Sequence, residues 1–315
     1  MFEKILLLTD FSAYAHKFLE SIGDLPDVKE VVILNVVSRD PRAKSWDPVA
    51  KAKEAETKLA REKKRINASG VNATVRAISV TEGDIAMQIP AAIQRVASEE
   101  NVSLVVMGAR GKSYVQSILL GSLTRNLLRS GDRHLLIMRY KSVAAQKSVS
   151  AGAKGAPLTV AEPPKGPEML EKFGAALLSK VLIPTDFSQP ADAVVSSIAA
   201  MLGLGEILLL HVVSRGESKE EIEIAVNDAS KKLKGVSHEL GKKGVKATPC
   251  VVIGSPMEEI RSMADKEDVS MIAMSSVGES AFSVGKIGSI TYDVASTANR
   301  PVLVVRLKMT YSFNG

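Results

Sequence analysis

Lys4-Ile5-Leu6-Leu7-Leu8-Thr9-Asp10-Phe11-Ser12 returns 176 residues later as Lys180-Val181-Leu182-Ile183-Pro184-Thr185-Asp186-Phe187-Ser188. An apolar run that stops at a Thr-Asp-Phe-Ser turn reads as a short buried strand entering a polar loop. Its recurrence makes the chain two copies of one unit. Asn35-Val36-Val37-Ser38-Arg39 and His211-Val212-Val213-Ser214-Arg215 keep the same offset. Val102-Ser103 with Val269-Ser270, Gly111 with Gly278, and Gly121-Ser122 with Gly288-Ser289 are offset by 167, so the first copy is nine residues longer. Part of the excess lies where Gly83–Glu100 outruns Gly254–Glu267 by four residues. Four residues make about one helical turn, and Pro90 lies within that stretch, so a kinked extra turn is expected there.

Around these anchors, short β-rich runs alternate with amphipathic stretches. Strands are expected near Lys4–Leu8, Glu30–Val37, Ala73–Val80, Ser103–Met107 and His134–Arg139. In the second copy they are expected near Lys180–Pro184, Glu206–Val213, Lys246–Ile253, Ser270–Met274 and Pro301–Arg306. Helical spacing fills the intervals, as in Lys51 to Ile66. The α/β alternation implies two repeated, doubly wound, Rossmann-like domains, each a parallel five-stranded sheet with helices on both faces. Burial on both faces accounts for the continuous Val/Ile/Leu character of the strands. The domains span residues 1–141 and 178–309, joined by a linker at 142–177. Ser142–Pro167 holds six Ala, four Pro, three Gly and three Ser among 26 residues and no aromatic side chain, which reads as flexible chain. Glu168–Phe173 reads as a short helix leading into the second domain. Each domain ends on an apolar strand, an edge of the kind that is normally paired or covered.

With 315 residues, 45% apolar and 24% charged, the chain has the makeup of two globular domains. Its apolar runs fall far short of the about 18 residues of a membrane-spanning helix. Met1-Phe2-Glu3-Lys4 enters the first run without the features of a secretory leader, which implies the cytoplasm. The single cysteine, Cys250, reads as a buried strand residue, not a nucleophile. Of the net charge of +6, half comes from the six Lys and three Glu between residues 141 and 180. Aromatic residues make up only 4%, too few for a base-stacking platform. Neither nucleic acid nor membrane is expected as a partner. His16, His134 and His238 have no suitably spaced companions, so no intrinsic metal site is expected. Asn35 and His211 occupy equivalent strand positions and read as structural residues. Lys51–Arg65 reads as a solvated helix face.

Ligands of such sheets bind beyond the carboxyl ends of strands, where the strand order reverses. After the fourth strand comes Gly108-Ala109-Arg110-Gly111, and nine residues later Gly121-Ser122-Leu123-Thr124 opens a helix. Glycines let backbone N–H groups approach phosphate oxygens closely. A helix start offers unpaired N–H donors and the positive end of the dipole. The hydroxyls of Ser122 and Thr124 and the Arg110 cation add to this anion cradle. It is not a Walker A motif, because Val106 stands five positions before Gly111. From the residues alone, Asp10 reads equally as a helix cap or as a partner for a ribose hydroxyl.

Two domains that each open with Thr-Asp-Phe-Ser, the first carrying G-x2-G-x9-G-S after its fourth strand and the second the same pattern but for its first glycine, resemble a tandem universal stress protein of the nucleotide-binding branch. The resemblance covers nearly the whole chain except the linker, and it implies an adenine nucleotide alpha hydrolase-like fold. It further implies adenine against Val36, ribose near Asp10, and phosphates on the loop from Gly108 through Arg110, Gly111, Gly121 and Ser122. Thr9, Met107, Leu123 and Thr124 fill the other contact positions. The corresponding positions of the second domain are Pro184, Asp186, Val212, Met274, Gly278, Gly288, Ser289, Ile290 and Thr291. There Ser275 replaces the first glycine of the motif and Val277 replaces Arg110, so weaker binding is expected. In the resemblance the last strands of the two domains meet in an intrachain pseudo-dimer, with further homodimerisation left open.

The implied ligand is ATP accompanied by Mg²⁺, with AMP or a cyclic nucleotide as alternatives. The implied role is a stress-response regulator in which ATP stabilises one conformation that a protein partner reads. The alternatives are a weak ATPase or phosphate-transfer enzyme, or an interaction module that binds no nucleotide. Between Gly108 and Thr124 there is no Asp, Glu, His or Cys to act as base or nucleophile. Binding without efficient chemistry is therefore the favoured reading.

Overall fold

Ile5 and Leu7 of the first strand face one layer of helices while Leu6 faces another, as the two-residue period of a strand requires. This alternation sorts the apolar side chains into two clusters, one on each face of a single sheet. The computed structural model describes residues 2–20, 22, 25–38, 45–80, 85–109, 120–142, 170–172, 176–214, 218–278 and 287–307. The first half contains β1 (Lys4–Leu8), α1 (Ala13–Glu20), β2 (Glu30–Ser38), α2 (Pro48–Ala68), β3 (Asn72–Val80), α3 (Ile85–Glu99), β4 (Leu104–Gly108), α4 (Ser122–Ser130) and β5 (His134–Met138). Two short strands, β6 (Lys141–Ser142) and β7 (Leu170–Glu171), pair antiparallel between the halves. The second half contains β8 (Lys180–Pro184), α5 (Gln189–Ala199), β9 (Glu206–Val213), α6 (Lys219–Lys242), β10 (Lys246–Ile253), α7 (Pro256–Lys266), β11 (Met271–Ser275), α8 (Ser289–Thr297) and β12 (Val302–Val305).

The strands form one ten-stranded sheet in the order β10-β9-β8-β11-β12-β5-β4-β1-β2-β3. Each half is parallel, with its first strand between its second and fourth. The order therefore reverses beside β1 and beside β8, which opens a crevice at the carboxyl end of each. The expected edges at the end of each half meet one another. β5 and β12 pair antiparallel, Leu135 with Val304, Leu136 with Leu303 and Ile137 with Val302, and all six side chains are buried. The outer edges that remain are β3 and β10. Pro249 in β10 lacks an N–H and belongs on such an edge.

The strand ends and the approach to the second domain correct the expectations. β4 runs to Gly108 and β11 to Ser275, one residue further than expected, which keeps both in extended backbone. β5 and β12 stop before Arg139 and Arg306, leaving both arginines beyond the ladder. Leu170–Glu171 is extended instead of helical, because its backbone pairs with Lys141–Ser142. Cys250 is only half-buried, since an edge strand is covered on fewer sides. Burial still holds its thiol above the usual range, which disfavours the nucleophilic thiolate. α3 exceeds α7 by the four residues anticipated, 15 against 11, and contains Pro90. Most of the linker stretch lies outside the described residues.

Candidate functional site

The loop after β1 is tied by its own side chains. Thr9 Oγ1 accepts from the Phe11 N–H (3.1 Å), Asp10 Oδ1 from the Ser12 N–H (2.9 Å), and Ser12 Oγ from the Ala15 N–H (3.3 Å). Ser12 therefore caps α1, while Asp10 only supports the turn and does so with one oxygen. Asp10 Oδ2 is buried and finds no hydrogen-bond partner among the described residues. Phe11 sits at φ 60, unusual for a bulky residue, and Lys58 of α2 lies 5.3 Å over its ring. The turn after β8 repeats these contacts. Thr185 Oγ1 accepts from Phe187 N–H, Asp186 Oδ1 from Ser188 N–H, and Ser188 Oγ from Ala191 N–H. Phe187 is also at φ 60, with Lys232 above its ring at 5.0 Å. Strain kept at two equivalent turns, beside the two crevices, is the pattern of a site whose surroundings enforce it.

Asn35 and His211 hold these turns from β2 and β9. Asn35 Nδ2 donates to the Thr9 carbonyl at 2.7 Å, and His211 Nδ1 lies 2.8 Å from the Thr185 carbonyl. Both are thus the satisfied structural residues that the sequence suggests. Asn35 and His211 also line the crevices, and neither had been counted among the contact positions.

Across the crevice, α4 and α8 begin at Gly121 and Gly288. Each glycine has extended N-cap geometry with no side-chain cap, so the first-turn N–H groups keep their donors for an outside partner. The helices are fixed from within: Thr124 Oγ1 donates to the Gly108 carbonyl and Thr291 Oγ1 to the Ser275 carbonyl. A Cβ built on Gly121 meets nothing closer than 3.8 Å, so that position tolerates a side chain in the chain alone. A Cβ on Gly278 would lie 2.7 Å from Asp186 Oδ2. A side chain there would require the Asp186 carboxylate to shift.

In the first half these elements enclose a cavity of about 320 Å³, lined by Thr9, Asp10, Val36, Met107, Gly108, Gly121, Ser122, Leu123 and Thr124 among others. Arg110 and Gly111, the remaining expected contact positions, lie outside the described residues. The second cavity, about 520 Å³, brings together Pro184, Asp186, Val212, Met274, Gly278, Gly288, Ser289, Ile290 and Thr291. Both volumes fall within the roughly 300–1,000 Å³ of small-ligand sites. Leu34, Ile89 and Ile93 in the first and Leu210, Pro256 and Ile260 in the second add apolar lining beyond the expected positions. These come from strands and helices whose facing side depends on tertiary packing, which no local motif announces.

If Gly108 took a left-handed backbone, Ser275 in its place would be strained. The structure removes that premise. Both residues end strands, and Gly108 is absent from the positive-φ positions. Ser275 instead donates its hydroxyl to the Val277 carbonyl, so the replacement is accommodated locally. Among the described residues, no group of three His, Cys, Asp or Glu side chains is placed to hold a metal ion, and no helix is long and apolar enough to cross a membrane.

Known proteins share this plan. The universal stress protein family matches residues 1–139 and 178–306. A universal stress protein of Methanocaldococcus jannaschii is 31% identical over 159 residues, which cover 42% of this chain and 98% of that protein. A solved universal stress protein from Archaeoglobus fulgidus covers 96% of both chains at TM-score 0.65 and 23% identity. A putative universal stress protein from Pseudomonas aeruginosa covers 97% of this chain and 93% of its own at TM-score 0.61 and 15% identity. At those identities the two structures speak for the fold.

Proposed function

Because the chain belongs to the universal stress protein family, we propose that it is an adenine-nucleotide-binding regulator, with ATP as the ligand of the first cavity. The observation that carries this reading is the pairing of opposites across one crevice. On one side, the buried Asp10 Oδ2 lacks a partner among the described residues, and a ribose hydroxyl would satisfy it. On the other, the uncapped start of α4 at Gly121 presents N–H donors and a positive dipole end to a phosphate. Val36 and Met107, which line the same cavity, supply apolar surface for the base.

Mg²⁺ would enter on the nucleotide's own phosphates, the usual manner for this ion. The second cavity retains the aspartate, two of the three motif glycines (Gly278 and Gly288) and the uncapped helix, but has Ser275 in place of Gly108 and Val277 where the first has Arg110. It would take the same ligand more weakly.

ATP on this reading is a signal and not a fuel. The stretch Gly108–Thr124 offers no Asp, Glu, His or Cys to activate a water or accept a phosphoryl group. The purified chain is expected to bind ATP and to turn it over well below about 1 s⁻¹, the lower end for dedicated enzymes. A binding titration beside a phosphate-release assay tests this. Multiple turnovers at enzymatic rates by the isolated chain would overturn the regulatory reading and favour an ATPase.

A further inference from the structure

The helices that open the two cavities are each anchored at their far end by the other half of the molecule. Arg139, just past β5, donates Nη2 to the Ala295 carbonyl (2.8 Å) and the Ser296 carbonyl (3.4 Å) near the end of α8, and Nη1 to the Arg300 carbonyl (3.3 Å). Its counterpart Arg306, just past β12, donates Nη2 to the Leu128 carbonyl (2.6 Å) and the Leu127 carbonyl (3.2 Å) near the end of α4. The last carbonyls of a helix have no partners of their own, and a cation there is favoured by the dipole. Each arginine therefore serves the helix of the other half, and at Leu127 Arg306 adds to the Gly131 N–H that already bonds that carbonyl. A third contact joins the helices directly, with Arg129 of α4 4.7 Å over the ring of Tyr292 in α8 and bonded to its hydroxyl.

α4 and α8 are nine residues long, about 13 Å each, so fixing one end fixes the other. From this geometry we infer that Arg139 and Arg306 are crossed positioning residues: Arg306 of the second half sets the phosphate-facing start of α4 in the first site, and Arg139 of the first half sets that of α8 in the second. The inference rests on the nucleotide reading above for what the helix starts bind, but the anchoring itself does not. It makes the two sites interdependent through two short rigid elements, which the contact between β5 and β12 alone would not require.

The test uses the full chain, with ATP as probe and Gly288→Asp or Gly121→Asp to leave one site at a time. With only the first site open, Arg306→Ala should weaken ATP about 3- to 10-fold, Arg306→Lys should restore part of the loss, and Arg139→Ala should leave affinity within twofold. With only the second site open, the two arginines should exchange roles. Equal weakening by both, or weakening of the site within the arginine's own half, would overturn the inference. Hydrogen exchange on the unliganded chain provides a second readout. Arg306→Ala should speed exchange in α4 and not α8, Arg139→Ala the reverse, and exchange that is unchanged or uncrossed would also overturn it. If the unaltered chain binds no ATP while exchange is crossed, the nucleotide reading fails and the anchoring stands.

Discussion

Asp10 concentrates the argument in one carboxylate. One oxygen is spent on the Ser12 N–H, and the other is buried without a partner among the described residues. An unsatisfied buried acceptor is costly to keep, and on the proposed reading a ribose hydroxyl would complete it. Asp10→Asn separates the two oxygens, because the amide carbonyl can still accept from Ser12 while the second position becomes a donor. ATP affinity at the first site should fall about tenfold or more, the scale of a lost hydrogen bond to a charged group, with thermal stability unchanged or raised. Titration and thermal unfolding of the variant check both halves of this expectation. The Thr-Asp-Phe-Ser motif is legible in sequence, but the division of labour within it is not. A phenylalanine at φ 60 runs against local preference, and the lysines above Phe11 and Phe187 come from helices about 45 residues further along the chain.

Among the elements, the strands were the most legible, since burial on both faces writes continuous apolar runs into the sequence. Their ends were less so. A one-residue extension at Gly108 and Ser275 decides whether a glycine is needed for its backbone, and extended geometry says it is not. Leu170–Glu171 shows the opposite failure, with a helical pattern overruled by pairing to Lys141–Ser142. At the helix starts, Gly121 has extended N-cap geometry and room for a side chain. Aspartate is among the best N-cap residues, so Gly121→Asp should leave the melting temperature unchanged or higher. The same carboxylate would stand where phosphate is expected and repel it. A fall in melting temperature would show that the glycine serves packing instead of ligand access.

At the scale of the molecule, the pairing of the two halves was foreseen in outline because each ended on an unprotected apolar strand. The crossing of Arg139 and Arg306 was not, since their partners lie some 160 to 180 residues away and no periodicity marks them. One continuous sheet holds two cavities of unequal equipment. Asp186 Oδ1 already accepts from both the N–H and the hydroxyl of Ser188, and Val277 stands at the position of Arg110. On the proposed reading, a guanidinium directed at the phosphates would give the first site a charge-assisted contact worth about 1.5–3 kcal/mol that a valine cannot give, and with Ser275 unstrained this would be the main source of asymmetry. Calorimetric titration with ATP of the native chain, Gly121→Asp and Gly288→Asp tests the whole account most directly. The expected result is a stoichiometry nearer one than two per chain at moderate ATP, with a tight site lost in Gly121→Asp and kept in Gly288→Asp. Absence of binding in the native chain, or a tight site that survives Gly121→Asp and disappears in Gly288→Asp, would contradict it.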